Sequence, residues 1–254
     1  MPTIEIQGQK LFYALHASDA RQADNVILLH GAGGSRLVWP ASLRRLPRAT
    51  VHVLDLPGHG RSAGQGRMSI KGYASVVASF IEDLSLAPAV VIGHSMGGAI
   101  AQLLALETPS LLKGLVLLAT GARLRVAPAI LEQLRSDFAA AADTILTLYW
   151  GPDAPEPLIE SGRRLLLQND RDVVYGDFAA CDVFDVTRRL SSITLPALVI
   201  SGAADRLTPE KYGRYLADGL PDARLAIIEG GGHMLMLEKA PLVTDAVIRF
   251  LEEI

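Results

Sequence analysis

The sequence predicts an α/β chain: a doubly wound, mostly parallel sheet with a helical insertion. Three observations carry this. Short apolar β-branched runs alternate with amphipathic stretches along most of the chain, as in parallel strands buried on both faces. One of those runs leads directly into G-x-S-x-G and then into strong helix formers. Between residues 121 and 193 the alternation stops and only helical periodicity remains.

Residues 3–7 and 10–16 read as two antiparallel strands joined through Gly8. Residues 25–30 (NVILLH) form a buried strand that runs into Gly31-Ala32-Gly33-Gly34, with a helix expected over 35–46. A strand at 51–56 ends in Pro57-Gly58-His59-Gly60. Over 69–84, Ile70, Tyr73, Val76, Val77, Phe80, Ile81 and Leu84 fall at helical spacing. Val90–Ile92, the elbow and a helix over 99–106 follow, then a strand at 114–119. The last stretches, 197–201, 209–220, 224–229 and 239–253, read as strand, helix, strand, helix. The expected division is a core of residues 1–120 and 194–254 and a helical cap, or lid, of residues 121–193. In the cap, Leu131, Leu134, Phe138, Ile145 and Leu148 mark one amphipathic helix, with two more over 157–169 and 172–186. Tyr149, Trp150, Phe178 and Phe184 are read there as packing, and no cap residue is given a catalytic role.

Composition narrows the function. The chain has 254 residues, half of them hydrophobic and 20% charged, enough for one substantial core. A formal net charge of −3 and the absence of a basic run argue against a nucleic-acid partner. The single cysteine, Cys181, rules out an intrachain disulfide and suits a reducing compartment, so a cytoplasmic location is expected. The N-terminus carries Glu5 and no apolar h-region, unlike a signal peptide. Residues 84–106 contain no charged side chain, but Pro88, Gly93, Gly97 and Gly98 interrupt them, which fits a buried strand-turn-helix and not a membrane span.

The chemistry centres on Ser95. A turn this tight forces its central residue into a sparsely populated conformation, at a cost of roughly 1–3 kcal/mol. Gly93 and Gly97 are needed where side chains would collide, and Gly98 lets the helix approach the sheet. A serine hydroxyl needs a base. Of the six histidines, His16, His30, His52 and His59 belong to strands or turns, and the His94 side chain is expected to point elsewhere on the elbow. His233 follows the last strand in a glycine loop, read as flexible, that could reach the strand tops; it is the candidate base. Asp205 ends the preceding strand in the order Ser, Asp, His and is the candidate for orienting it. Capping of the next helix is assigned to Thr208, ahead of Pro209. The oxyanion that forms on attack needs aimed donors, and the backbone N–H groups of Met96 and Ala32 are named for it, with Gly33 as the alternative to Ala32.

Taken together, HGAGG (30–34), DLPGHGRS (55–62), GHSMGG (93–98), SGAADRLTP (201–209) and GGGHMLMLEKAP (230–241) resemble the α/β-hydrolase superfamily, in particular its small capped carboxylesterase and enol-lactonase-like members. The resemblance implies the fold, a Ser95–Asp205–His233 triad, a hole at Ala32 and Met96, and structural roles for Asp55 and His59. It implies hydrolysis of a small-molecule ester without metal or organic cofactor. Lactonase, carbon–carbon bond hydrolase and perhydrolase chemistry use the same triad, and a slow-turnover receptor on the same fold is a reading of another class. Met234 after the histidine departs from the tryptophan frequent in the carbon–carbon bond hydrolases. A dinucleotide site is disfavoured because the third glycine of G-x-G-x-x-G falls on Arg36.

Overall fold

A computed structural model describes residues 2–20 and 23–254. Eight strands form one sheet in the order β1-β2-β4-β3-β5-β6-β7-β8. β1 (Thr3–Ile6) and β2 (Gln9–His16) pair antiparallel, and β2 pairs antiparallel with β4 (Ala49–Leu54). From β4 onward the ladder is parallel through β3 (Asp24–Leu29), β5 (Ala89–His94), β6 (Leu112–Leu118), β7 (Ala197–Gly202) and β8 (Ala223–Ile228). β5 and β7 are buried at every position, the signature of central strands covered on both faces.

Alternate strand residues supply two cores, as a period of two requires. Ile27, Val91, Leu115 and Val199 face α2 (Ile70–Asp83), α3 (Met96–Glu107) and α8 (Glu210–Gly219). Val26, Val90, Val116 and Leu198 face α1 (Ala41–Arg44) and α10 (Ala240–Glu253). The uncharged stretch 84–106 divides into β5 and α3 about Ser95. No helix among the described residues is long and apolar enough to cross a membrane.

Two helix expectations are corrected. The helix expected over 35–46 is a 3-10 turn, Arg36–Val38, followed by the four-residue α1, because Pro40 lacks the N–H that would continue the first piece. The single helix expected from Leu131 to Leu148 is two, α4 (Pro128–Ser136) and α5 (Phe138–Tyr149). Asp137 is extended, which ends α4, and its carboxylate accepts the Ala140 N–H and starts a new helix. α6 (Glu156–Leu167) and α7 (Arg171–Val183) complete the segment between β6 and β7. Its helices share a small core of their own, built on Ile130, Leu134, Ile145, Leu166, Val174 and Phe178, which also touches Ala32.

Candidate active site

The parallel strands deliver their chemistry at one edge, where their carboxyl ends meet. Ser95 follows β5 with φ 53° and ψ −115°, an uncommon conformation for a residue with a side chain. The surroundings enforce it. Ser95 N–H donates to Leu118 O at 2.9 Å, and Ser95 O accepts from Thr120 Oγ1 at 2.8 Å. A Cβ on Gly93 would run into the Gly97 carbonyl, and one on Gly97 into Leu29 O. At Gly98 it would lie 2.6 Å from Thr120 Cγ2, so all three glycines allow close approach.

Asp205 and His233 meet across the ends of β7 and β8. His233 Nδ1 lies 2.9 Å from Asp205 Oδ2, with the pair buried. Asp205 Oδ1 accepts the N–H groups of Leu207 and Thr208, both at 2.8 Å, and Thr208 Oγ1 donates to Oδ2 at 2.7 Å. Burial alone would raise this carboxyl. The His233 ring and the Thr208 donors outweigh it and hold Asp205 below the usual carboxylate range. Nδ1 is engaged by Asp205, and Nε2 has no hydrogen-bond partner among the described residues. Ser95 and His233 line one cavity, and among the described residues no hydrogen bond joins their side chains.

Three details of the sequence reading are corrected here. Thr208 does not cap α8, whose N-cap is Pro209; its hydroxyl is spent on Asp205. His94 does not point away: its Nε2 donates to His233 O at 3.0 Å, and its ring packs 4.8 Å from the His233 ring. Burial pushes His94 down to about 3, so it is a neutral strut. The glycine loop is tied down, not loose. Gly231 O accepts from Ala204, and Glu238 accepts the N–H groups of Gly151 and Gly232. A Cβ on Gly202 or Gly232 would strike neighbouring backbone, so these glycines serve close packing. A polar side chain three residues beyond an orienting acid was the one available signal for Thr208.

Of the backbone donors, Ala32 and Met96 N–H donate to no group among the described residues. Met96 opens α3, where unpaired donors and the helix dipole favour an anion. The alternative donor, Gly33 N–H, is occupied by Asp177 Oδ2 at 2.9 Å. Two cavities share Ala32, Ser95 and Tyr149 in their walls. One, of about 130 Å³, is walled by Trp150, Leu158, Leu165, His233 and Met234. The other, of about 200 Å³, is walled by Val126, Ile130, Leu148, Phe178 and Leu207. Tyr149, Trp150 and Phe178 thus line cavities as well as packing, whereas Phe184 belongs to the core beneath. Asp55 accepts from Arg36 and Arg61 N–H and pairs with the Arg36 guanidinium at 2.8 Å, which ties its loop together.

Comparison with known proteins agrees with this architecture. The family described as "Alpha/beta hydrolase family" matches residues 26–246. A pimeloyl-[acyl-carrier protein] methyl ester esterase of Yersinia pseudotuberculosis is 28% identical over 245 residues, covering 90% of this chain and 93% of that protein. Among solved structures, a thermophilic esterase superposes with a TM-score of 0.85 at 35% identity, covering 99% of this chain and 97% of that one. The enol-lactonase from Burkholderia xenovorans superposes at 0.91 with 26% identity, covering 99% of this chain and 100% of that one. The strand order, the strained serine after β5 and a match spanning most of the sequence make this chain a member of the α/β hydrolase family.

Proposed function

We propose that the chain is a serine hydrolase of carboxylic esters, with Ser95 as nucleophile, His233 as base and then acid, and Asp205 as the group that orients the imidazole. The observation that carries this is one juxtaposition: a strained serine shares a cavity with an imidazole whose other nitrogen is held by a buried carboxylate, beside two unpaired amides. His233 Nε2 takes the hydroxyl proton as Ser95 Oγ bonds to the acyl carbon. The carbonyl π electrons move onto oxygen, which the Ala32 and Met96 N–H groups receive. As the oxyanion reforms the carbonyl, the C–O bond to the leaving alcohol breaks and His233 gives up its proton to it. Water then attacks the acyl-enzyme with the same base and releases the acid. Asp205 stabilises the imidazolium between these transfers without taking its proton.

In this reading residues 121–193 form a lid over the remaining core. The two cavities take the acyl and alcohol portions. Each is close in size to a void that accepts a benzene-sized group, about 150 Å³. Small esters are therefore the expected class, and the similar proteins named as esterases support ester hydrolysis. Lactones are a second reading, favoured by the likeness to an enol-lactonase. The test is turnover of short p-nitrophenyl esters and of lactones by wild type and Ser95→Ala. Wild-type turnover at least ~10⁴-fold above the variant is expected. Equal rates would reject the enzyme in favour of a receptor.

A further inference from the structure

Three aspartates are buried among the described residues, and two are already accounted for: Asp55 by its arginine and Asp205 by His233. The third, Asp177, lies in α7 with no exposed surface. A carboxylate taken out of water costs several kcal/mol unless donors and a counter-charge compensate it. Here both are present. Oδ2 accepts from His59 Nε2 at 2.7 Å and from Gly33 N–H at 2.9 Å, and Oδ1 accepts from Tyr73 O–H at 2.6 Å. His59 Nδ1 faces the Pro57 carbonyl at 3.0 Å, so both ring nitrogens face acceptors and both must carry protons. The pair is therefore ionic. Burial would strip the His59 proton, but the Asp177 charge and hydrogen bond retain it.

Gly33 is held at its other end too. Asn169 Nδ2, in the turn between α6 and α7, donates to Gly33 O at 2.8 Å. The segment between β6 and β7 thus grips Gly33 by both backbone polar groups. Gly33 has φ +60°, and a Cβ there would lie 2.6 Å from Leu166 Cδ1. One residue before Ala32, Gly31 O accepts from Gly34 N–H and lies 2.8 Å from His30 Nδ1. The peptide planes on both sides of Ala32 are consequently fixed, one by the core and one by the helical segment.

We infer that Asp177, supported by Asn169, is a positioning residue for the oxyanion hole: by occupying Gly33 N–H it locks the loop so that Ala32 N–H aims at the substrate oxygen. This rests on the serine-hydrolase reading above. It gives the helical segment a part in the chemical step as well as in enclosing substrate. Positioning of this kind affects the charged intermediate more than the ground state, so its loss falls on kcat and leaves KM in place.

The test compares Asp177→Ala with Asp177→Asn, using ester kinetics and inhibition by a trifluoromethyl ketone, which adds to a serine as an oxyanion. Alanine frees Gly33. Asparagine can keep its oxygen on Gly33 and turn its amide toward the Tyr73 oxygen. The expected result for alanine is a kcat about 10–100-fold lower, KM within about twofold, and ketone affinity weakened by the same factor as kcat/KM. Asparagine is expected to restore kcat and ketone affinity to within about fivefold of wild type. A folded alanine variant with wild-type kcat and ketone affinity overturns the inference. So does an asparagine variant as impaired as alanine, or a kcat loss without weaker ketone binding. If the alanine variant does not fold, Asn169→Ala serves: a roughly 3–10-fold fall in both readouts is expected, and no change overturns the inference. Wild type no faster than Ser95→Ala would instead mean that the hydrolase reading itself fails.

Discussion

Among the described residues there are two buried Asp–His pairs, Asp205–His233 and Asp177–His59, with nitrogen–oxygen distances of 2.9 and 2.7 Å. They differ in the second nitrogen of the ring. His59 has a carbonyl there, so it is doubly protonated, buried and unable to accept a proton. Among the described residues His233 has no such acceptor on Nε2, and it shares a cavity wall with Ser95. His30 and His94 are a third type. The His30 ring lies between Gly31 O and the Leu56 N–H at 2.8 and 3.0 Å, and burial holds both residues neutral at about 3. An acid beside a histidine is thus not enough to make it a base. On the proposed function, the second nitrogen, and what it faces, decides between catalysis and structure.

The sharpest way to break this contrast is to remove each imidazole in turn. His233→Gln is expected to lower kcat by at least ~10⁴-fold with little change in melting temperature, since the proton acceptor is lost but a buried polar side chain remains. His59→Gln is expected to do the reverse. It leaves the Asp177 charge without its cation and costs about 3–5 kcal/mol of stability, while kcat in folded protein stays within about tenfold of wild type. Steady-state kinetics and thermal melts on both variants would check this, and similar kinetic losses would erase the distinction.

A smaller effect is expected at Thr208. Thr208→Val keeps the shape but removes the hydroxyl that donates to Asp205 Oδ2, about 1 kcal/mol for a hydrogen bond to a buried group, and should reduce kcat by roughly 3–10-fold. An unchanged rate would mean that the two backbone N–H groups on Oδ1 suffice to hold Asp205.

The smallest effect separates the pairs by pH. His59 is raised above its ordinary value in the folded chain, so its contribution is complete below about pH 6.5 and is lost as pH rises through the folded value. Asp205 is lowered, so its contribution is present above about pH 4 and is lost as pH falls through the folded value. The neutral His30 and His94 gain stability as pH rises through about 6.5, so melting temperature should decline only above about pH 7, and the decline should shrink in Asp177→Asn, where the charge that retains the His59 proton is gone. Burial also raises Cys181, Tyr73 and Tyr149, so their shares are lost as pH passes their ordinary values, about 8.5 for the thiol and about 10 for the phenols, above the range in which His59 begins to act.

The parallel strands and the elbow could be read from the chain because their causes are local. Period-two burial writes a continuous apolar run, and a strained turn demands glycine at Gly93 and Gly97. The helix expectations failed where a single residue interrupts a good apolar pattern, at Pro40 and Asp137, because periodicity records which face is buried and not whether the axis continues. The support around the candidate site was hidden for a different reason. Asp177 lies 144 residues from Gly33, 118 from His59 and 104 from Tyr73, and nothing near it in sequence distinguishes it from Asp172 and Asp182, the other acids of its own helix.

The sequence by itself determined the sheet, the bend that exposes Ser95 and the order in which serine, acid and histidine occur, since each depends on neighbours a few residues away. Tertiary structure decided which of the two Asp-paired histidines has its second nitrogen occupied, which amide near Ala32 is already taken, and that the helices between β6 and β7 grip the loop beside Ser95. Those outcomes depend on desolvation and on pairing between distant groups, which exist only once the chain has closed around them.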